Sequence, residues 1–362
     1  MARTTRGRST SRVSDGQILD AARRVYVEGE LQKDVCKDLG ISQGYLTKKL
    51  AEARERGWVR VFVDVEPQFQ LASELRRAWP NLVDVLVVAG VPETSTPALR
   101  TAASHRMAAA LAGWLDRRLD DRAASVRCVA VGGGRPARGM VDQLVQRAGG
   151  VDVVPSALSP VGGATIRHSS PLVATLLAFR LGALGAEPPE GRHPGQLFDL
   201  RVEPPRGSID GMRRWFAELA GREDFRRVRE AWARSDVVFT GGAPLTLPSG
   251  ESLLYPDVAG RLAELGLDGS AIRQRGARLV FANQFVDANG KAVPLASGVP
   301  SYEPSIPLDM LREAAADEER RVVLTAWGDL GGELAPVLRG ELVNTLVCDE
   351  TAARGLLAAA PR

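Results

Sequence analysis

Along residues 17–28 (QILDAARRVYVE) apolar side chains fall at Ile18, Ala21, Ala22 and Val25, the spacing of one buried helical stripe. Leu31, Val35 and Leu39 then repeat every four residues through LQKDVCKDLG and stop at Gly40. Glycine takes the left-handed conformation that closes a helix without a steric penalty. Ser42 follows as an N-cap for a second helix, SQGYLTKKLAEARERG, with Ile41, Leu46 and Leu50 facing inward. Small Cys36 stands where two crossing helices must approach closely. Helix, short glycine turn, helix is a helix-turn-helix arrangement. In WVRVFVDV (58–65) the period falls to two, Val59, Val61, Val63 and Val65 alternating with Arg60, Phe62 and Asp64, which reads as a strand pair or wing beside the helices.

Beyond Pro67 the pattern changes again. FQLASELRRAW reads as a linking helix, and from residue 83 short apolar runs alternate with amphipathic stretches. VDVLVVAG (83–90), VRCVAVGGG (126–134), VDVVP (151–155), DVVFTGG (236–242), ARLVFA (277–282), RVVLTAWG (321–328) and VNTLVCD (343–349) read as strands. HRMAAALAGWLDRRL and REDFRRVREAWARS read as the helices between them. Such alternation predicts an α/β fold with a parallel sheet covered on both faces. The expected organisation is a basic arm and winged helix-turn-helix over 1–65, a linking helix over 66–80 and an α/β domain over 81–362.

Charge sharpens this division. Residues 1–60 hold 13 Lys/Arg against 8 Asp/Glu, a net +5, while the remainder holds 34 against 36. A basic head on a near-neutral body suits contact with a polyanion at one end. The outward positions of the second helix, Gln43, Gly44, Tyr45, Thr47, Lys48 and Lys49, mix groups that read base edges with groups that neutralise phosphates. With its capping residue Ser42 and with Arg60 of the wing they form the candidate DNA-binding set. Lys48, Lys49 and Arg60 are assigned to phosphates, and Gln43, Tyr45 and Thr47 to bases. A solvated polar face on an interaction module is the alternative.

In parallel sheets ligands bind beyond the carboxyl ends of strands, and four such ends carry suitable residues. VAVGGGRPARGM offers Gly133 and Gly134 for close backbone approach to an anion, with Arg135 and Arg138 behind them. SPVGGATIRHSS offers Gly162, Gly163 and His168. FTGGAPL offers Gly241 and Gly242, and FANQFVDANGKAV offers Asn283, Gln284 and Asp287. Each has a plainer reading as a tight turn, DANGK above all.

Other classes fit less well. Three widely spaced cysteines, Cys36, Cys128 and Cys348, make neither a disulfide framework nor a zinc site, and no cofactor or metal is expected. No apolar run is long enough for a membrane span and the arginine-bearing N-terminus lacks the apolar stretch of a secretory signal, so the expected compartment is the cytoplasm. Lys291 is the only lysine after residue 49, and of His105, His168 and His193 only His168 is a credible acid/base. Catalysis is therefore not expected.

YVEGELQKDVCKDLGISQGYLTKKLAEARERGWVRV, VAVGGGRPARGM, FTGGAP, FVDANGKAV and LRGELVNTLVCDETAARGLL together resemble the SorC family of bacterial transcriptional regulators, over nearly the whole length. The resemblance implies a winged helix-turn-helix followed by a Rossmann-like parallel-sheet effector domain resembling the sugar-phosphate isomerase and deaminase fold. It implies double-stranded DNA as partner, a homodimer or homotetramer, and a carbohydrate effector that is usually a sugar, often phosphorylated, with GGGRPAR holding a phosphate. Two departures stand out. Leu279 and Val280 occupy the place of an Asp in the family's GDxxG-like turn, and TAWGDLGG replaces a late GGxxK motif, with Trp327 and Asp329 and no lysine. The expectation is a sequence-specific, effector-controlled regulator. Two rivals are a ligand-independent DNA-binding scaffold whose α/β domain serves only oligomerisation, and an isomerase-like enzyme.

Overall fold

A computed structural model describes residues 13–26, 30–56, 58, 68–90, 97–121, 125–147, 150–159, 168–184, 195–245, 256–328 and 331–361. The expected wing, Arg60 included, lies outside these apart from Trp58, and so do Gly162 and Gly163. The chain divides into two compact units, Met1–Asp64 and Val65–Arg362.

The first unit holds α1 (Asp15–Tyr26), α2 (Gln32–Leu39) and α3 (Gln43–Glu55). Its core is small: Ala21, Ala22, Val35, Cys36, Leu46 and Leu50 are buried together, flanked by Val25, Leu39 and Ile41. Gly40 closes α2 at φ 65°, its N–H donating to Lys37 O while Ile41 N–H reaches back to Cys36 O. That pair of bonds satisfies carbonyls the helix end would otherwise orphan. The Ser42 hydroxyl accepts from Tyr45 N–H at 3.3 Å and starts α3. Arg24 binds both Glu30 and Asp38 at 2.6 Å, tying the end of α1 to α2.

The second unit begins with α4 (Phe69–Ala78), β1 (Asp84–Val88), α5 (Pro97–Asp120), β2 (Cys128–Val131), α6 (Arg135–Gln143), β3 (Asp152–Pro155) and α7 (Ser170–Arg180). It continues through α8 (Ile209–Ala220), α9 (Glu223–Ala233), β4 (Val237–Thr240), β5 (Gly242–Pro244), α10 (Pro256–Glu264), α11 (Gly269–Gln274), β6 (Ala277–Phe281) and β7 (Gln284–Asp287). It ends with α12 (Leu308–Ala316), β8 (Arg321–Ala326), α13 (Ala335–Arg339), β9 (Thr345–Asp349) and α14 (Glu350–Ala358). Six strands form a wholly parallel sheet in the order β1-β9-β8-β4-β2-β3.

Apolar residues alternate across this sheet and both sides are buried, as a parallel sheet requires. Cys128, Ala130, Val238, Val322 and Leu346 pack with Leu71 and Leu75 of α4, Trp232 of α9, Leu311 of α12 and Leu356 of α14. Val129, Val131, Val237, Val323 and Val347 pack with Leu111 and Leu115 of α5, Met140 of α6 and Leu177 of α7. The stretch expected to link the two parts, α4, lies within this layer: Leu75 is fully buried, and the Trp79 indole following it donates to Leu356 O.

The expectation of one parallel sheet needs correction. ARLVFA does not join it. It forms β6, the centre of an antiparallel three-stranded sheet in the order β5-β6-β7. DVVFTGG breaks at Gly241 and serves both sheets, β4 in the large one and β5 in the small one. Their shared apolar composition hid the difference, and what separates them is the tight turn Ala282-Asn283, at φ 46° and 61°, which folds β6 straight back onto β7. Positive φ at both central residues is the hairpin geometry that matches strand twist. This sheet shares a core with α8 and α10, including Met212, Leu262, Ile272, Phe285 and Tyr302.

The three cysteines are free and buried, Cys36 in the first unit and Cys128 and Cys348 in β2 and β9. Among the described residues no helix is long and apolar enough to cross a membrane, and no group of three or more His, Cys, Asp or Glu is placed to hold a metal.

Candidate functional site

Two regions carry chemistry, one in each unit. On α3 the buried stripe Leu46, Leu50 and Ala53 leaves Gln43, Gly44, Thr47 and Lys48 exposed. A Cβ at Gly44 would meet nothing within 4 Å, so the helix surface is open there. The other members of the set are partly engaged. Thr47 donates to the Gln32 side chain at 3.3 Å, joining α3 to α2. Lys49 binds Glu52 at 2.6 Å, and its ammonium lies 5.7 Å from the centre of the Tyr45 ring. The Lys49 hydrogen bond holds the Glu52 carboxyl below its ordinary range. Ser42 is committed to its cap, which leaves Gln43 and Lys48 as the exposed polar side chains of the set without a side-chain hydrogen bond among the described residues.

The second region lies at the carboxyl ends of the large sheet. Gly132 follows β2 and donates its N–H to Phe239 O of β4 at 2.8 Å. Gly134, at φ 103°, caps α6 and donates to His168 O at 2.7 Å. A Cβ on Gly133 would collide with that same carbonyl and stand 3.1 Å from Ser170 N. The glycine run thus lets residues 168–170 lie directly on the turn. Arg135 is exposed at the start of α6, Pro136 has no N–H to give, and Arg138 pairs with Asp142 at 3.2 Å. His168 is half-buried.

Gly241 is exposed next to this turn. Ala282 N–H donates to its carbonyl, which brings the β6–β7 hairpin tip, with Asn283, to the same side. Gly242 pairs with Phe281 and packs against Leu334. The structure therefore gathers Gly133, Gly134, His168, Gly241 and Asn283 and leaves Asp287 away from them, at the opposite end of β7. There Asp287 accepts from Asn289 and Lys291 N–H groups at 2.8 and 2.9 Å and closes the DANGK turn. Gln284 is buried and donates to Ile306 O at 2.7 Å. Both side chains serve the fold, as the plainer reading of that stretch has it.

Two clefts among the described residues lie away from this region. One, of about 330 Å³, lies at the amino ends of β1 and β9 between Asp84, Trp114, Arg117, Arg118 and Thr345. Another, of about 530 Å³, lies beside the DANGK turn between Arg275, Arg278, Asp287 and Lys291.

Glu303 is a residue that sequence reasoning passed over. It belongs to a loop, SYEPSI, running alongside the residues that follow β3: Leu158 N–H donates to Pro304 O, Ile306 N–H donates to Ser156 O, and Ala157 bridges Ser305. Glu303 is 1% exposed, and among the described residues neither of its carboxylate oxygens has a hydrogen-bond partner. The Ser305 hydroxyl two residues on is likewise buried and unpartnered. Burial pushes the Glu303 carboxyl up to about 8, against the opposing pull of Arg261. Arg261 binds Glu264 at 2.7 Å and Pro205 O, while its Nε is buried without a hydrogen-bond partner. Flanked by Ser, Tyr and Pro, Glu303 carried no sign of burial.

No family model matches the sequence, and no curated protein matches it. Solved structures do. The full-length sorbitol operon regulator SorC from Klebsiella pneumoniae superposes with a TM-score of 0.66 at 20% identity, covering 96% of this chain and 100% of that one. The chain has that regulator's fold. A probable sor operon regulator from Shigella flexneri matches with a TM-score of 0.60 at 18% identity, over 80% of this chain and 99% of its own. A DeoR family transcriptional regulator from Listeria monocytogenes matches with a TM-score of 0.58 at 16% identity, over 80% and 98%.

Proposed function

We propose that this protein is a sequence-specific, DNA-binding transcriptional regulator of the SorC type, controlled by a sugar-like effector bound in its α/β unit. The observation that carries the reading is α3. An N-capped helix after a glycine turn presents Gln43 and Lys48 outward, in a chain that matches the fold of a full-length operon regulator over 96% of its length. Lys48 neutralises a phosphate and Gln43 reads a base edge in the major groove. Tyr45 and Lys49 reinforce one another and add a weaker phosphate contact. A homodimer or homotetramer places paired heads on an inverted repeat, which multiplies affinity and specificity. Effector binding changes DNA affinity by its differential affinity for the two arrangements of subunits. The cytoplasm is where such a protein meets DNA.

The reading is tested by fluorescence anisotropy on DNA from immediately upstream of the gene, with scrambled DNA as control, across a salt series. Selective binding that weakens linearly in log–log salt supports it. Equal affinity for both DNAs removes sequence-specific regulation.

A scaffold without effector is the second reading, and the engaged glycine N–H groups after β2 favour it. The unpartnered Glu303 favours a sensor, because an assembly domain gains nothing from an uncompensated buried carboxyl.

A further inference from the structure

Strands β2, β3, β4 and β9 of the large sheet are buried throughout, and β8 at all but one residue. Strand β1 is not. Its first three residues, Asp84, Val85 and Leu86, are half-buried, and only Val87 and Val88 are fully covered. Those three residues line the cleft of about 330 Å³ at the amino ends of β1 and β9, with Trp114, Arg117 and Arg118 of α5 as the opposite wall. Leu86 and Trp114 belong to the apolar layer between α5 and the sheet, and the Trp114 ring is held edge-on to Phe239 at 5.9 Å. The cleft therefore pairs an apolar wall with charged groups.

Buried polar groups are almost always hydrogen-bonded, and here the donors are not all met. Arg118 donates one Nη to Glu319 O at 2.8 Å, while its Nε is buried without a partner. Arg321 is 8% exposed and gives Nη1 to Glu318 O and Arg320 O. Its Nε stands 3.5 Å from the Asp84 carboxylate and is likewise buried and unpartnered. Arg117 is exposed. Three guanidiniums thus face the carboxylates of Asp84 and Asp121, one positive charge in excess. Offsetting the dipole of α5 explains basic residues in its last turn, but not buried donors without acceptors.

We propose that this cleft binds a small organic monocarboxylate with an apolar body, at the opposite end of the sheet from the glycine turns. A carboxylate presents two oxygens in one plane, the geometry a guanidinium fork matches, and it accepts from Arg117 and Arg118. Its single negative charge cancels the excess. The apolar body covers Leu86 and Trp114, where α5 leaves β1 open. A polyol would set hydroxyl groups against those two side chains without partners for them. The site stands whether or not the carboxyl ends of the sheet take a sugar.

The test is calorimetric titration of the full-length chain with benzoate and hexanoate, with their neutral counterparts benzamide and hexanol, and with inorganic phosphate. The variants are Arg117→Gln, Arg118→Gln and, as a control at the far end of the sheet, Arg135→Gln. At least one of the two acids should bind with one site per chain, and its neutral counterpart at least about tenfold more weakly, the cost of losing a charged hydrogen bond. Arg117→Gln and Arg118→Gln should each weaken the acid about tenfold, and Arg135→Gln should leave it unchanged. Arg117 is exposed, so Arg117→Gln folds and decides the matter where Arg118→Gln, which gives up the bond to Glu319 O, does not fold. No saturable binding of either acid, equal affinity for acid and amide or alcohol, or tighter binding of inorganic phosphate than of both acids overturns the proposal. So does an affinity indifferent to Arg117→Gln, or one lost in Arg135→Gln.

Discussion

Helix α3 and the glycine turn after β2 both look like binding sites in the sequence, and the structure treats them differently. On α3 the side chains that suggested DNA are mostly turned to solvent, with Gln43 and Lys48 fully available. At the turn, the N–H groups of Gly132 and Gly134 are already spent on Phe239 O and His168 O, and Arg135 alone of the expected set stays exposed. Residue type identifies a capacity for hydrogen bonding. Only the fold decides whether that capacity is still unspent. Glu303 makes the same point from the other side, as an ordinary loop glutamate whose hydrogen-bonding capacity the fold leaves entirely unused.

Substitution at the turn should give the largest effect. Gly133→Ala forces a Cβ into the His168 carbonyl, backbone against backbone, and should cost more than about 4 kcal/mol of the α/β unit's stability by urea denaturation, or prevent folding. A variant that folds normally would show that the close approach is not structural, and the anion-cradle reading would return.

Leu46→Ala probes the other side of the comparison. It empties part of a six-residue core and should cost about 2–5 kcal/mol, unfolding the first unit and abolishing DNA binding. The α/β unit's melting transition should stay in place.

Glu303 predicts a pH dependence. Its folded carboxyl titrates near 8 against an unfolded value of 4.5, so between those limits the folded state holds the extra proton. Stability from this group is complete below the unfolded value and is lost as pH rises through the folded one, by at most about 1.4 kcal/mol per pH unit. Denaturation curves between pH 5 and about pH 8 should show this decline in the parent and not in Glu303→Gln. Equal slopes would mean that the carboxyl is not buried as described.

The smallest effect divides two neighbouring lysines. Lys48→Ala should lower the salt slope of DNA binding by about one, while Lys49→Ala, whose ammonium is shared with Glu52, should lower it by less. The reverse order would put Lys49 on the phosphate and Lys48 in solvent.

The three helices of the first unit were legible because their signals are local, although Leu31, expected in the α2 stripe, is exposed. Gly40, Ser42 and the stripe at Val35, Leu46 and Leu50 each act within one or two turns of helix. Six parallel strands were legible for the same reason, as unbroken apolar runs. The seventh run, ARLVFA, has the same composition and a different sheet, since strand partners are set by the chain's path and not by the strand's own residues. Asp287 and Asn283 were readable as turn residues and also as ligands, and the turn geometry shows what the fold asks of them. Glu303 was not readable at all. Its burial comes from segments 150 residues apart in sequence, the stretch after β3 lying against residues 303–306.

The three buried thiols give the molecule its own clocks. Burial raises the Cys36 thiol above its usual range, pushes Cys128 up to about 11 and raises Cys348 further still. Only a thiolate reacts with an alkylating reagent, so each cysteine is silent until its surroundings open. Cys36 sits where α2 packs within the first unit, while Cys128 and Cys348 lie in the parallel sheet. Alkylation of the unaltered protein, followed by peptide mass analysis, therefore times the opening of the helix-turn-helix separately from that of the sheet. Adding DNA should slow the first clock, and adding an effector should slow the second.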